Sequence, residues 1–218
     1  MYSPGLGRFV SRDPAGYVDG WNLYAGYFVP NGVDPFGLWD EAGHFYTTAL
    51  ILKMAGVQNY EEIAYWSQYP DEMSAYDAIP QAPGNFLGSD WSAGVQEMIH
   101  MLNGGKPSDN QGALACILKS GKLTPREMGF VVHAFADSFA HVDPTTGMAY
   151  KPVVGHLKHG HTPDVIAADK EKYLRYADAL YRTFGGTNQG DIDGYKGYIR
   201  NATMTGDQVD MDVVRGYG

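Results

Sequence analysis

The sequence holds a single cysteine, Cys116, so no intramolecular disulfide staples the chain and cysteine usage does not name a compartment. Cys116 sits in the apolar run ALACIL, which predicts a buried structural thiol. No apolar run approaches the length of a membrane span, and no signal peptide opens the chain; a protein of this kind acting outside its cell of origin needs another carrier. Basic residues are scarce, with 16 Lys and Arg against 25 Asp and Glu and a formal net charge of -9. That balance argues against non-specific nucleic-acid binding through a broad basic face. It leaves room for a nuclease whose site gains positive charge from bound metal. No phosphate-cradling P-loop, no nucleophile elbow and no internal repeat is present.

What remains is a globular composition, 218 residues with 44% hydrophobic and 19% charged, enough for one substantial core. Four Trp and 16 Tyr offer an apolar or base-stacking cleft, although helix packing accounts for most of them. The chain changes character near residue 38. Before it, Gly and Pro recur among aromatics (SPGLG, DPAG, VPNG, DPFG), which predicts turns and short strands, with GRFVS and NLYAGY as strand candidates. After it, helices dominate. His44 to Ala55 reads as a helix ended by Gly56. Asn59 and Glu62 open the next helix, and Pro70 closes it. Residues 71–90 read as a long loop, Ser92 to Leu102 and Gln111 to Lys119 as helices. Thr124-Pro125-Arg126-Glu127 joins an N-cap, an N1 proline and a capping-box Glu. Thr162-Pro163 opens the last long helix, running to Gly185, and residues 186–218 read as a loosely ordered tail.

The chemistry-bearing pattern lies in GFVVHAFADSFAHVDP, where His133, Asp137 and His141 stand four residues apart. That spacing puts all three on one side of a helix, well inside the segment that Thr124 caps. On so apolar a helix these groups are costly to bury unless neutralised, and neutral His with ionised Asp makes a good zinc ligand set. The plainer alternative is a core histidine with a carboxylate partner. Further candidate ligands sit at helix ends: His44, Asp71 (with Glu72 or Asp77 as substitutes), His100, His156, His159, His161 and Asp164. His44 and His100 interrupt apolar faces and suit a surface poorly. His159, beside Lys158, reads as exposed, and Asp164 has an alternative role as an N-terminal helix carboxylate.

Two resemblances rest on these motifs. Residues 2–38, through SPGLGRFVSRDP, NLYAGY and DPFGL, resemble the C-terminal end of an RHS-repeat core. That likeness implies a β-shell around a variable toxin, with aspartyl self-cleavage after the DPxGL motif. Asp13 and Asp34 match the motif aspartates, and the cut falls between Leu38 and Trp39. The family's upstream arginine and most of the shell are missing from this sequence. Residues 39 to about 184, within a 39–218 effector domain, resemble zinc-dependent phospholipase C and the single-strand-specific zinc nucleases. The implied fold is mainly α, and the implied cofactor is zinc, up to three ions. In WDEAGH, Trp39 offers its freed amine together with His44. Asp71, His100, His133 and Asp137 carry over as ligands, Asp71 and Asp137 as the catalytic carboxylates, with Asp137 bridging. His141, His156 or His161, and Asp164 hold a second ion, although the spacing there departs from the family's.

The implied activity is phosphodiester hydrolysis by a delivered effector lacking its own signal peptide. Phospholipid is the expected substrate and single-stranded nucleic acid the alternative; the implied partners are a cognate immunity protein and the parent RHS shell. An alternative of another class is a non-catalytic RHS tip with a structural metal site or none.

Overall fold

The computed structural model describes residues 2–3, 8–9, 42–72, 94–151, 166–205 and 207–217. The chain divides into two compact units, Met1–Pro35 and Phe36–Gly218, a division slightly N-terminal to the Leu38–Trp39 bond. In the first, β1 (Tyr2–Ser3) pairs antiparallel with β2 (Arg8–Phe9), Tyr2 opposite Phe9 and Ser3 opposite Arg8. β2 falls within GRFVS; the NLYAGY candidate lies outside the described residues.

Apart from an isolated β-bridge between Val142 and Ala149, the regular elements described in the second unit are helical. A π-helical turn, Ala42–Tyr46, leads into α1 (Thr47–Met54). α2 is Tyr60–Glu72, and a second π-helical turn covers Val95–Ile99. α3 (Pro107–Leu118) and α4 (Pro125–Ala140) follow. A 3-10 turn, Ile166–Ala168, precedes α5 (Lys170–Thr183), α6 (Gln189–Asn201) and α7 (Asp207–Arg215). Among the described residues no helix is long and apolar enough to cross a membrane.

The local signals explain most of these boundaries. Gly56 ends α1 at φ +80 and Gly121 follows α3 at φ +67, conformations that favour glycine. α4 starts on a complete capping box: the Thr124 hydroxyl accepts from Glu127 N, and Glu127 accepts from Thr124 N at 2.8 Å, satisfying two end donors at once. α3 begins at Pro107, earlier than expected, because proline suits a first helical turn. Pro70 does not close α2; it lies inside the helix, which continues to Glu72. The ring removes one main-chain bond, to the Trp66 carbonyl, and Pro70 itself is buried.

Four further expectations are corrected. Ser92 to Leu102 is helical over Val95–Ile99 but as a π turn and no further: His100 caps it, its N–H reaching Val95 O at 3.2 Å. An apolar pattern this short cannot separate a five-residue bond from a four-residue one. α5 starts at Lys170, capped by the Asp169 carboxylate accepting from Lys172 N; Thr162 and Pro163 lie outside the described residues. Residues 186–218 are not a loose tail. Asn188 caps α6, and Ile192, Tyr195, Ile199 and Val214 are buried, because apolar residues at helical spacing outweigh the glycines between them. Cys116 is exposed; Leu114 and Leu118 take the buried face, and a residue midway between them points about 200° around the helix.

The core gathers Ile51, Leu52, Ile63, Val132, Phe135, Leu180 and the fully buried Tyr173, Tyr176 and Tyr195. Each such side chain contributes roughly 1.5–3 kcal/mol of burial. α2 and α4 touch most closely at Gly129, where a Cβ would stand 2.3 Å from Trp66 Cβ and 2.8 Å from the Ile63 carbonyl oxygen. No side chain fits there.

Candidate metal centre

Four chain segments deliver imidazoles or carboxylates to one buried place. The first π turn brings His44, and the last turn of α2 brings Asp71. His100 stands just past the second π turn, α4 carries His133 and Asp137, and the α4 C-cap is His141. His44, His100, His133, Asp137 and His141 are all essentially inaccessible to solvent. Both π turns adjoin a site histidine, and such widened turns recur at functional sites because they re-aim a side chain. Met101, next to His100, adopts φ 53, a strained conformation for a non-glycine residue, costing about 1 kcal/mol or more.

His100 Nδ1, His133 Nε2 and Asp137 Oδ2 form a tight triangle. The separations are 3.2 Å between the imidazoles, 3.0 Å from His100 to Asp137, and 3.3 Å from His133 to Asp137. On the other side His44 Nε2 stands 3.2 Å from Asp137 Oδ1 and 3.5 Å from Asp71 Oδ2, while His133 Nε2 is 3.6 Å from Asp71 Oδ1. The His44 and His133 rings stack, centroids 4.2 Å apart. Two three-residue groups could therefore hold a metal ion, His44–Asp71–His133 and His100–His133–Asp137.

The surrounding backbone fixes which ring nitrogens face inward. His133 Nδ1–H donates to the Ser67 carbonyl at 2.8 Å, and His141 Nδ1–H donates to the His100 carbonyl at 2.8 Å. The opposite nitrogen, Nε2, is then the bare one on each ring, the arrangement that metal-binding histidines commonly use. Burial pushes His133 down to about 3, against the raising effect of Asp137, with His44 and His100 as further lowering neighbours. Burial alone would raise the Asp137 carboxyl, but the surrounding His133 and His141 imidazoles and the hydrogen bond from His100 hold it well below the usual carboxylate range. Neutral imidazole beside ionised carboxylate is the protonation state a metal needs.

The residues also pass a test of fit. Tetrahedral ligands about 2.0–2.1 Å from one ion stand about 3.3 Å from each other, and the triangle matches that spacing. Among the described residues, neither ring nitrogen of His44 nor Oδ1 of Asp137 has a hydrogen-bond partner, although all three atoms are buried. The ion pairs that the described residues give Asp137 are all with imidazoles. Buried carboxylates without a fixed cation are costly, and a divalent ion would remove that cost.

His44, Asp71, His100, His133 and Asp137, singled out from sequence, converge here. His141 is adjacent, but as the C-cap at φ -86 and ψ 57, not inside the helix; its Nδ1 lies 3.7 Å from Asp137 Oδ2. Trp39, His156, His159, His161 and Asp164 lie outside the described residues, as do Asp77 and the self-cleavage candidates Asp13, Asp34 and Leu38. Sequence reading missed Ser67, which binds His44 through its hydroxyl (2.9 Å to the His44 carbonyl) and His133 through its carbonyl. Its one signal is position, a small polar residue one helical turn before Asp71.

No protein-family model matches the sequence, and no solved structure matches it. The chain is similar over 38 residues, at 50% identity, to an uncharacterized Escherichia coli (strain K12) protein, YlbH; this covers 17% of the chain and 16% of that protein.

Proposed function

We propose that the chain is a zinc-dependent phosphodiester hydrolase of the phospholipase C-like kind, a toxin domain carried behind an RHS-type segment. The observation that carries the reading is the pair of half-buried Asp71 and buried Asp137, set among three imidazoles at 3.0–3.9 Å. Under this reading His100, His133 and Asp137 would hold one ion, and His44 with Asp71 would hold another. Bound zinc would supply Lewis-acid polarisation of a phosphoryl oxygen and activation of water. The protein's own part is to hold the ligands. Ser67 and the His100 carbonyl fix ring orientation; burial keeps His133 neutral, while the surrounding imidazoles and the His100 hydrogen bond keep Asp137 charged against its own burial. Release of the Trp39 amine by cleavage after Leu38 would complete the His44 ion's ligands.

Phospholipid is the favoured substrate for two reasons. The net charge of -9 disfavours a polyanionic strand. Half-buried Tyr65, Trp66 and Tyr69 on α2, next to Phe130 of α4, have the amphipathic character suited to a membrane–water boundary. The test is metal counting, together with turnover of phosphatidylcholine vesicles and of single-stranded DNA by the zinc-loaded chain. Headgroup release is expected. Mononucleotide release alone would make the domain a nuclease, and one zinc or none without turnover would leave an inert RHS tip.

A further inference from the structure

The second buried polar cluster of the fold contains no described ligand, yet it ends on the turn that carries His44. Thr47 Oγ1 stands 2.5 Å from the Ala42 carbonyl and 2.6 Å from Tyr173 Oη, and Tyr173 Oη in turn meets Tyr195 Oη. All four residues are fully buried. The direction of the chain follows from proton counting. A carbonyl can only accept, so the single Thr47 hydroxyl proton goes to Ala42. Tyr173 must then donate to Thr47, and Tyr195 to Tyr173. Such a one-way relay strengthens each of its bonds. Its last acceptor, Ala42, is the first residue of the π turn Ala42–Tyr46, two positions before His44. On the other side of that turn the Ser67 hydroxyl lies between the His44 carbonyl at 2.9 Å and the Ala64 carbonyl at 2.8 Å, its one proton shared between them.

We propose that Tyr173 is a positioning residue for His44: through Thr47 it fixes the π turn that aims this imidazole at Asp71 and Asp137, making α5 and α6 part of the metal centre. The inference rests on the metal reading above and adds to it a set of residues more than a hundred positions from the ligand they orient. A nearby pair supplies the control. Thr48 Oγ1 and Tyr176 Oη, 3.3 Å apart and equally buried, join the same helices α1 and α5, and among the described residues this side-chain bond does not include the His44 turn.

The experiment compares wild type, Tyr173→Phe, Thr47→Val, Thr47→Ser and Thr48→Val, each purified as the full chain. Zinc affinity is measured by competition with a chromogenic chelator, cobalt(II) absorption reports ligand geometry, and urea unfolding of metal-free protein reports stability. Tyr173→Phe and Thr47→Val should weaken the affected ion by about 10- to 100-fold and change the cobalt spectrum. Thr47→Ser, which keeps the hydroxyl, should bind like wild type. Thr48→Val should lose stability alone. If Tyr173→Phe does not fold, the Thr47→Val and Thr47→Ser pair reads the same link. Wild-type affinity and an unchanged spectrum in Thr47→Val would overturn the proposal while leaving the metal centre intact. Wild type that binds no metal at all would overturn both.

Discussion

Two buried polar clusters share one helical body, and they solve the problem of burial in opposite ways. The tyrosine–threonine chain between α1, α5 and α6 is neutral, and its members satisfy one another; burial pushes the Tyr173, Tyr176 and Tyr195 phenols well up, so they stay protonated donors. The imidazole–carboxylate cluster between the π turns, α2 and α4 holds ionised Asp137, whose ion pairs among the described residues are all with imidazoles. A satisfied network rigidifies by itself, whereas a charged one needs something added. The comparison teaches that buried polarity alone does not mark a candidate ligand site; a buried carboxylate that meets only imidazoles among the described residues does.

The comparison can be broken at its weakest geometric point. Gly129→Ala should cost about 3 kcal/mol, because the added methyl overlaps the Trp66 side chain and α2 backbone; urea unfolding reads the loss, and zinc binding should fall with it. Next, zinc at one hundred times its dissociation constant should stabilise wild type by about 2.7 kcal/mol. The gain should vanish in Asp137→Asn, and calorimetry with and without metal checks both. Thr124→Ala, which removes the α4 cap, should cost about 1 kcal/mol without altering metal stoichiometry.

The smallest effect sits outside both clusters. Partial burial would raise the Asp178 carboxyl, but hydrogen bonds from Arg182 and Lys196 hold it below the usual range. A depressed carboxylate stabilises the fold above its unfolded pKa, and that contribution disappears as pH falls through the folded value. Asp178→Asn should therefore cost under about 1 kcal/mol at pH 7 and nothing near pH 2, as denaturation at the two pH values would show.

The ligand helix was legible because its signals are local: a capping box at Thr124 and Glu127, and four-residue spacing that sets His133 and Asp137 on one face. Gly56 and Gly121 were legible for the same reason. His141 was misplaced by one helical boundary, which the spacing cannot mark. The π turns escaped notice because a widened turn leaves the apolar pattern nearly unchanged. Residues 186–218 were misread because glycine count hid the buried spacing of Ile192, Tyr195 and Ile199. Ser67 and the Tyr173 relay were invisible for a deeper reason: their partners lie 23 to 126 positions away, and only packing brings them together.

The contact at Gly129 carries one more consequence. Trp66 lies against Gly129 and Asp71 against His133, so α2 and α4 run side by side in the same direction. Their carboxylates, Asp71 and Asp137, both sit in the final turns, where the aligned peptide dipoles already leave about half a negative charge at each helix end. Two negative helix ends and two carboxylates thus point at one spot. The backbone adds its own attraction for a positively charged ion, one that no side-chain substitution removes.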